Sequence, residues 1–179
     1  MLHHDNPSNN NIGDDSKVSS IKKINLIDNS SNHKEYIASE RNAAIYELTQ
    51  SSNLHPTNDA SQLHSPYEIT ISIESSRLNI QICGNNNDTL QNFILSLKPY
   101  RSIIKDYFLI VQSYEKTRLS GNKEKLSPID IARRAIHNEG AEKLQTRLQD
   151  KITMDQKTAR RIFTLICVLH IGKTRNIII

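Results

Sequence analysis

Tryptophan is absent from this chain of 179 residues; cysteine and methionine occur twice each, phenylalanine three times, glycine and proline five times each. Cys83 and Cys167 lie far apart, each inside an apolar segment and without a paired spacing such as C-x-x-C. They give no disulfide framework, and they read as small buried hydrophobes in a reducing compartment. The scattered glycines form no G-x-x-x-x-G-K phosphate loop, and G-x-S-x-G and H-E-x-x-H are missing as well. No apolar run reaches the roughly 20 residues that span a bilayer. The longest, Ile162–Ile171, is broken by Thr164 and His170. Asn, Ser, Asp and His fill the first residues, where a secretory signal needs a basic start and an apolar stretch. The expectation is a soluble, cytoplasmic protein with no membrane contact, no cofactor and no metal site.

What the chain does have is an uneven distribution of charge. The formal net charge of +4 divides into −5 for residues 1–97, with 6 Lys+Arg against 11 Asp+Glu, and +9 for residues 98–179, with 17 against 8. A basic half of this kind can steer an anionic partner, whether protein, nucleic acid or metabolite; ordinary solvated helix faces give the same count.

One stretch organises the pattern, Pro99–Leu119. At 100° per residue Ile103, Ile104, Tyr107, Phe108, Ile110, Val111 and Tyr114 share one wide arc, which predicts a helix packed between other elements. Residues 1–20 are polar and predict a disordered tail, in which His3 and His4 have no expected role. Ile21–Ile27 suits a short edge strand, followed by a turn at Asp28–Ser31, and 39–48 a helix capped by Ser39 with Ala44, Ile45 and Leu48 on its apolar face. Residues 51–65 predict a loop. Tyr67, Ile69, Ile71 and Ile73 alternate with polar residues, and the pattern resumes at Leu78, Ile80 and Ile82 after Ser75-Ser76. That period of two predicts a hairpin; with Leu90–Leu97 it makes a meander whose greasy face the Pro99–Leu119 helix would cover. A polar link at 120–126 then leads to a helix capped by Ser127, with Pro128 in its first turn and Gly140 as its stop. A further helical segment, Ala141–Asp150, precedes a last helix from Gln156 to His170 capped by Asp155.

Three of these stretches resemble a known family. Ile94–Arg101 (Ile-Leu-Ser-Leu-Lys-Pro-Tyr-Arg) with Lys105–Ile110, Ile129–Gly140 (Ile-Asp-Ile-Ala-Arg-Arg-Ala-Ile-His-Asn-Glu-Gly) and Thr158–His170 are similar to the signature of the uncharacterised protein family 0262 of alphaproteobacteria. Weaker similarity runs back through Arg41–Leu48, so the resemblance covers most of residues 21–171. It brings no activity, cofactor or catalytic residue with it. Where members tend to carry Trp after the final His, this chain has Ile171.

The polar residues of interest are on the helix from Pro128 to Glu139. Arg133, His137, Asp130 and Arg134 share adjacent azimuths, with Ile129, Ile131, Ala132, Ala135 and Ile136 expected to turn inward. Two guanidiniums beside an imidazole can clamp a phosphate or carboxylate and offer a proton donor. They can equally be solvated neighbours, with Asp130 and Arg134 an i,i+4 ion pair. Arg160 and Arg161, beside Lys157, extend the basic face. Glu139 is placed on the inward arc, where a carboxylate serves backbone or arginine donors or, with a raised pKa, acid/base chemistry alongside His137. His170 lies on the apolar arc of the last helix. His137-x-Glu139 is not a metal motif, because residues two apart face different sides of a helix.

The predicted fold is α+β, an antiparallel meander of three to four strands packed against four to five helices. It occupies 21–171 as a single domain between a disordered tail (1–20) and a flexible one (172–179), the latter ending in an unexplained Ile177-Ile178-Ile179. Two functional readings stand. The first is a non-enzymatic binding or regulatory module whose basic helical face meets an anionic protein or nucleic acid. The second is a small enzyme or ligand-binding protein acting on an anionic small molecule through Arg133, Arg134, His137 and Glu139.

Overall fold

The computed structural model describes residues 19–27 and 35–174, with backbone only for 172–174. The predicted N-terminal tail up to residue 18, the turn at Asp28–Ser31 and the C-terminal residues 175–179 lie outside the described residues. Ser19 and Ser20, assigned to the tail from sequence, are held: the Ser19 hydroxyl donates to the Leu48 carbonyl at 2.7 Å, and the Ser20 hydroxyl accepts the Leu54 N–H at 2.8 Å.

Strand β1 (Ile21–Ile27) leads into helix α1 (Glu35–Gln50), a short strand β2 (Leu54–Pro56), and then β3 (Tyr67–Glu74), β4 (Arg77–Cys83) and β5 (Thr89–Ser96). Helices α2 (Arg101–Leu119) and α3 (Lys123–Leu148), strand β6 (Ile152–Met154) and helix α4 (Gln156–Thr174) complete the order. The predicted hairpin is present, with Ile69 opposite Ile82 and Ile71 opposite Ile80. β5 follows antiparallel on β4, so β3–β4–β5 is the expected meander. The sheet as a whole is mixed. β1 is an edge strand, as its sequence suggested, but it runs parallel to β3, with Ile24 beside Ile69. A parallel neighbour requires a crossover, and the chain makes one through α1, which packs on β1.

Several boundaries differ from the sequence expectation, each for a packing reason. α1 begins at Glu35, so Ser39 sits inside the helix and not at its cap; the buried stripe starts a turn earlier, at Ile37, and continues through Ala44 and Leu48. The stretch 51–65 is not all loop: β2 pairs antiparallel with β6, Leu54 opposite Met154, and a 3-10 turn follows at Thr57–Asp59. Two three-residue strands are too short to carry a period of two. The 127–140 and 141–150 segments are one 26-residue helix, α3, capped by Asn122, whose side chain accepts the Lys125 N–H at 3.3 Å. Ser127 and Pro128 fall inside it. Gly140 does not stop the helix but lets it approach α4, since a Cβ there would overlap the Phe163 ring. Asp155 does cap α4, accepting the Thr158 N–H at 2.8 Å.

The central element is α4 and not the Pro99–Leu119 helix. α2 buries Ile103, Ile104, Tyr107 and Val111 but leaves Leu109 exposed, and it packs chiefly on α3. In α4 every residue from Ile162 to Leu169 is buried, and the helix touches α1, α3 and β3, with lighter contact to α2. A stretch buried on every side has no face for water. Within 162–169 Thr164 donates its hydroxyl back to the Arg160 carbonyl at 3.0 Å.

Candidate functional site

The residues singled out on α3 and α4 meet. Arg133, Arg134 and His137 of α3 and Lys157, Arg160 and Arg161 of α4 line one concavity of about 280 Å³. Spacings of one, three and four residues put each trio on one face of its helix. Both trios precede, by one to two turns, the contact between Gly140 and Phe163.

His137 departs most from its expected setting. It is 5% exposed, not a solvated neighbour of the arginines, and its ring stacks on Tyr107 of α2 with centroids 5.1 Å apart and planes 30° from parallel. Tyr107 in turn donates its hydroxyl to Glu40 of α1 at 3.2 Å and meets Phe163 edge-on at 6.1 Å. The His137 Nε2 is buried with no hydrogen-bond partner. Burial first, then the guanidiniums of Arg133, Arg161 and Arg160, push the imidazole's pKa down to about 4. At neutral pH it is an uncharged ring in a cationic wall.

The guanidiniums are anchored from behind. Arg133 donates through Nε and Nη2 to Asp130 Oδ1 at 3.1 and 2.7 Å, and its guanidinium carbon lies 5.5 Å from the Tyr114 ring centroid. Arg134 reaches Asp130 Oδ2 at 2.6 Å, the i,i+4 pair the sequence offered. The hydrogen bond from Arg133 is the main reason Asp130 is held below the usual carboxylate range. Arg161 pairs with Glu47 of α1. Lys157 and Arg160 have no carboxylate partner among the described residues.

Two expectations are corrected. Glu139 is not on an inward arc: it is exposed, pairs with Lys143 at 2.6 Å on the same helix, and is absent from the concavity. Ile131 and Ala135, expected inside, are exposed, while Ile136 is half-buried against the core. The first half of α3 overhangs the core, so its apolar residues have little to pack against, and the covered stripe is His137, Gly140, Ala141, Leu144 and Leu148. His170 is half-buried away from the site, and burial followed by the nearby Arg101 lowers its pKa. Sequence reasoning missed Tyr107 and Glu47 as members of the site, for they come from distant helices and carry no local signal. Among the described residues no three His, Cys, Asp or Glu side chains are grouped to hold a metal ion. Nor is any described helix long and apolar enough to cross a membrane.

The model of an uncharacterised protein family, UPF0262, matches residues 18–172. The chain belongs to that family. UPF0262 proteins of Brucella canis and Brucella suis are each 44% identical to it over 131 residues, which is 73% of this chain and 81% of theirs. A UPF0262 protein of Chelativorans sp. is 44% identical over 131 residues, 73% of this chain and 80% of its own length. The family agrees with the resemblance read from the three sequence stretches, two of which, Ile129–Gly140 and Thr158–His170, carry every lining residue of the concavity except Lys157. No solved structure matches the chain.

Proposed function

We propose that this UPF0262 protein is a cytoplasmic binding module that takes a compact anion between α3 and α4. The observation that carries the reading is the convergence of five permanent cations and one buried, unpartnered imidazole on a single concavity of about 280 Å³. A cluster of like charges costs stability unless something neutralises it. An anion gripped by arginine forks would do so. Concavity favours a compact anion over the flat docking of a long acidic partner. The displacement of Glu139 favours binding over catalysis, because the carboxylate expected to share acid/base work with His137 pairs with Lys143 instead, and Asp130 is engaged by Arg133 and Arg134.

The test is the thermal midpoint of the purified protein with phosphate, sulfate and carboxylate anions at two salt concentrations. A ligand at about 100 times its dissociation constant adds roughly 2.7 kcal/mol, a rise of about 5–10 °C for a chain of this size. The shift should fall by about half or more in Arg134→Ala, whose exposed side chain can be removed without touching the core. Shifts of equal size in the parent and the variant would defeat the reading.

A further inference from the structure

This inference rests on the anion-pocket reading and goes further, to the class of ligand. The lining is unusual in having no aliphatic or aromatic member other than the His137 imidazole: Arg133, Arg134, Lys157, Arg160 and Arg161 supply the rest. Ligand sites that recognise an organic scaffold are mostly apolar, with a few polar groups to fix orientation. Here only guanidinium and imidazole faces are offered to a base or ring, so charge and oxygen geometry dominate recognition.

The charge count bears on how many anionic groups fit. Five permanent cations face the concavity, two carboxylates, Asp130 and Glu47, pair with Arg133, Arg134 and Arg161, and Glu40 also acts on Arg133, leaving an excess of two to three positive charges. One phosphoryl group carries about 1.5 to 2 negative charges near neutral pH, and two joined ones about three. Volume points the same way. A concavity of about 280 Å³ lies at the small end for a whole metabolite. The cations are also split between two walls, Arg133 and Arg134 on α3 against Lys157, Arg160 and Arg161 on α4. Each wall can therefore grip its own phosphoryl group.

We infer that the pocket binds a diphosphate group, its two phosphoryl units divided between α3 and α4, with the His137 ring at the floor between them. Inorganic pyrophosphate and the diphosphate end of a nucleotide share this chemistry. With no aliphatic or aromatic residue in the lining other than His137, a nucleoside attached to the group would project from the pocket and add little.

Isothermal titration of the full chain with inorganic phosphate, inorganic pyrophosphate, a nucleoside diphosphate and a short single-stranded oligonucleotide tests this. Pyrophosphate should bind at least about tenfold more tightly than phosphate, each tenfold being 1.4 kcal/mol. The nucleoside diphosphate should fall within about threefold of pyrophosphate if the group alone is read; a nucleoside diphosphate that binds about tenfold more tightly still identifies a nucleotide as the source, with the same diphosphate contact. Arg134→Ala on one wall and Arg160→Ala on the other should each reduce the pyrophosphate affinity by about tenfold or more and bring it toward that of phosphate. Phosphate binding as tightly as pyrophosphate would overturn the diphosphate assignment while leaving an anion pocket in place. Binding of the oligonucleotide alone, or of nothing in the panel, would overturn both.

Discussion

His137 ties the chemistry of the pocket to the stability of the molecule. Its pKa is about 4 in the fold against the usual 6.5, because burial and three guanidiniums disfavour the imidazolium. Between those values the unfolded chain holds the proton more readily, so stability rises with pH across that window. The contribution is complete above about pH 6.5 and is lost as pH falls toward 4, roughly 3 kcal/mol in all. Other groups facing the ring are Tyr107 of α2 and Asp130 of α3; Asp130, like Asp59, is held low and responds only below about pH 4. His55 and His170 are also lowered and act in the same direction as His137. Urea midpoints measured from pH 7 to 4.5 should fall less steeply in His137→Gln than in the parent, and parallel profiles would mean that the folded protein protonates His137 with ease. Asp59 is a second residue whose role is now plain. Burial alone would raise its pKa, but the hydroxyl of Tyr67 at 2.8 Å, the ring of His64 at 3.1 Å and the N–H groups of Leu63 and His64 hold it low. Asp59→Ala leaves those donors unsatisfied, Tyr67 being fully buried, and should cost about 3 kcal/mol in denaturant unfolding. Nothing in the polar stretch 51–65 announces this carboxylate, since its partners arrive through a turn and a strand that begins eight residues later.

At the scale of elements, the α3–α4 pair decides where the basic residues go. Gly140 lies in mid-helix, where alanine would ordinarily add about 1 kcal/mol of helix stability. Here the added Cβ would meet the Phe163 ring, so Gly140→Ala should instead destabilise by about 1–3 kcal/mol. The displacement of α3 should also weaken anion binding, a double effect that a thermal melt with and without phosphate reads directly. A stabilised variant with unchanged binding would show that the two helices do not depend on this close approach. The sequence located α3 but split it at Gly140, because a glycine near a helix end and a glycine at a helix crossing have the same local signature. It located α2 and α4 closely, because their wide apolar arcs are local properties of the chain.

At the scale of the whole molecule, the positive excess of residues 98–179 is not spread over solvated faces alone; part of it is gathered between two helices. Such crowding weakens the fold in the absence of an anion. Arg160→Gln, which removes a cation with no carboxylate partner among the described residues, should therefore leave the low-salt thermal midpoint unchanged or raise it by the equivalent of about 0.5 kcal/mol. It should also weaken the response to pyrophosphate, and a destabilised variant whose response is unchanged would argue that Arg160 is a structural residue. By itself the sequence determined what depends on neighbours within a few residues: the hairpin from the alternation of Tyr67–Glu74, the Asp155 cap, the apolar α4 and the α+β class. Tertiary structure alone decided that β1 runs parallel to β3, that α4 and not α2 is the centre, that Glu139 faces solvent and that His137 is buried among arginines. The reason is physical. Periodicity fixes the azimuths of side chains relative to one another on a helix, whereas the side that meets the core is chosen by elements far away in the chain, here Tyr107 on α2 and Phe163 on α4.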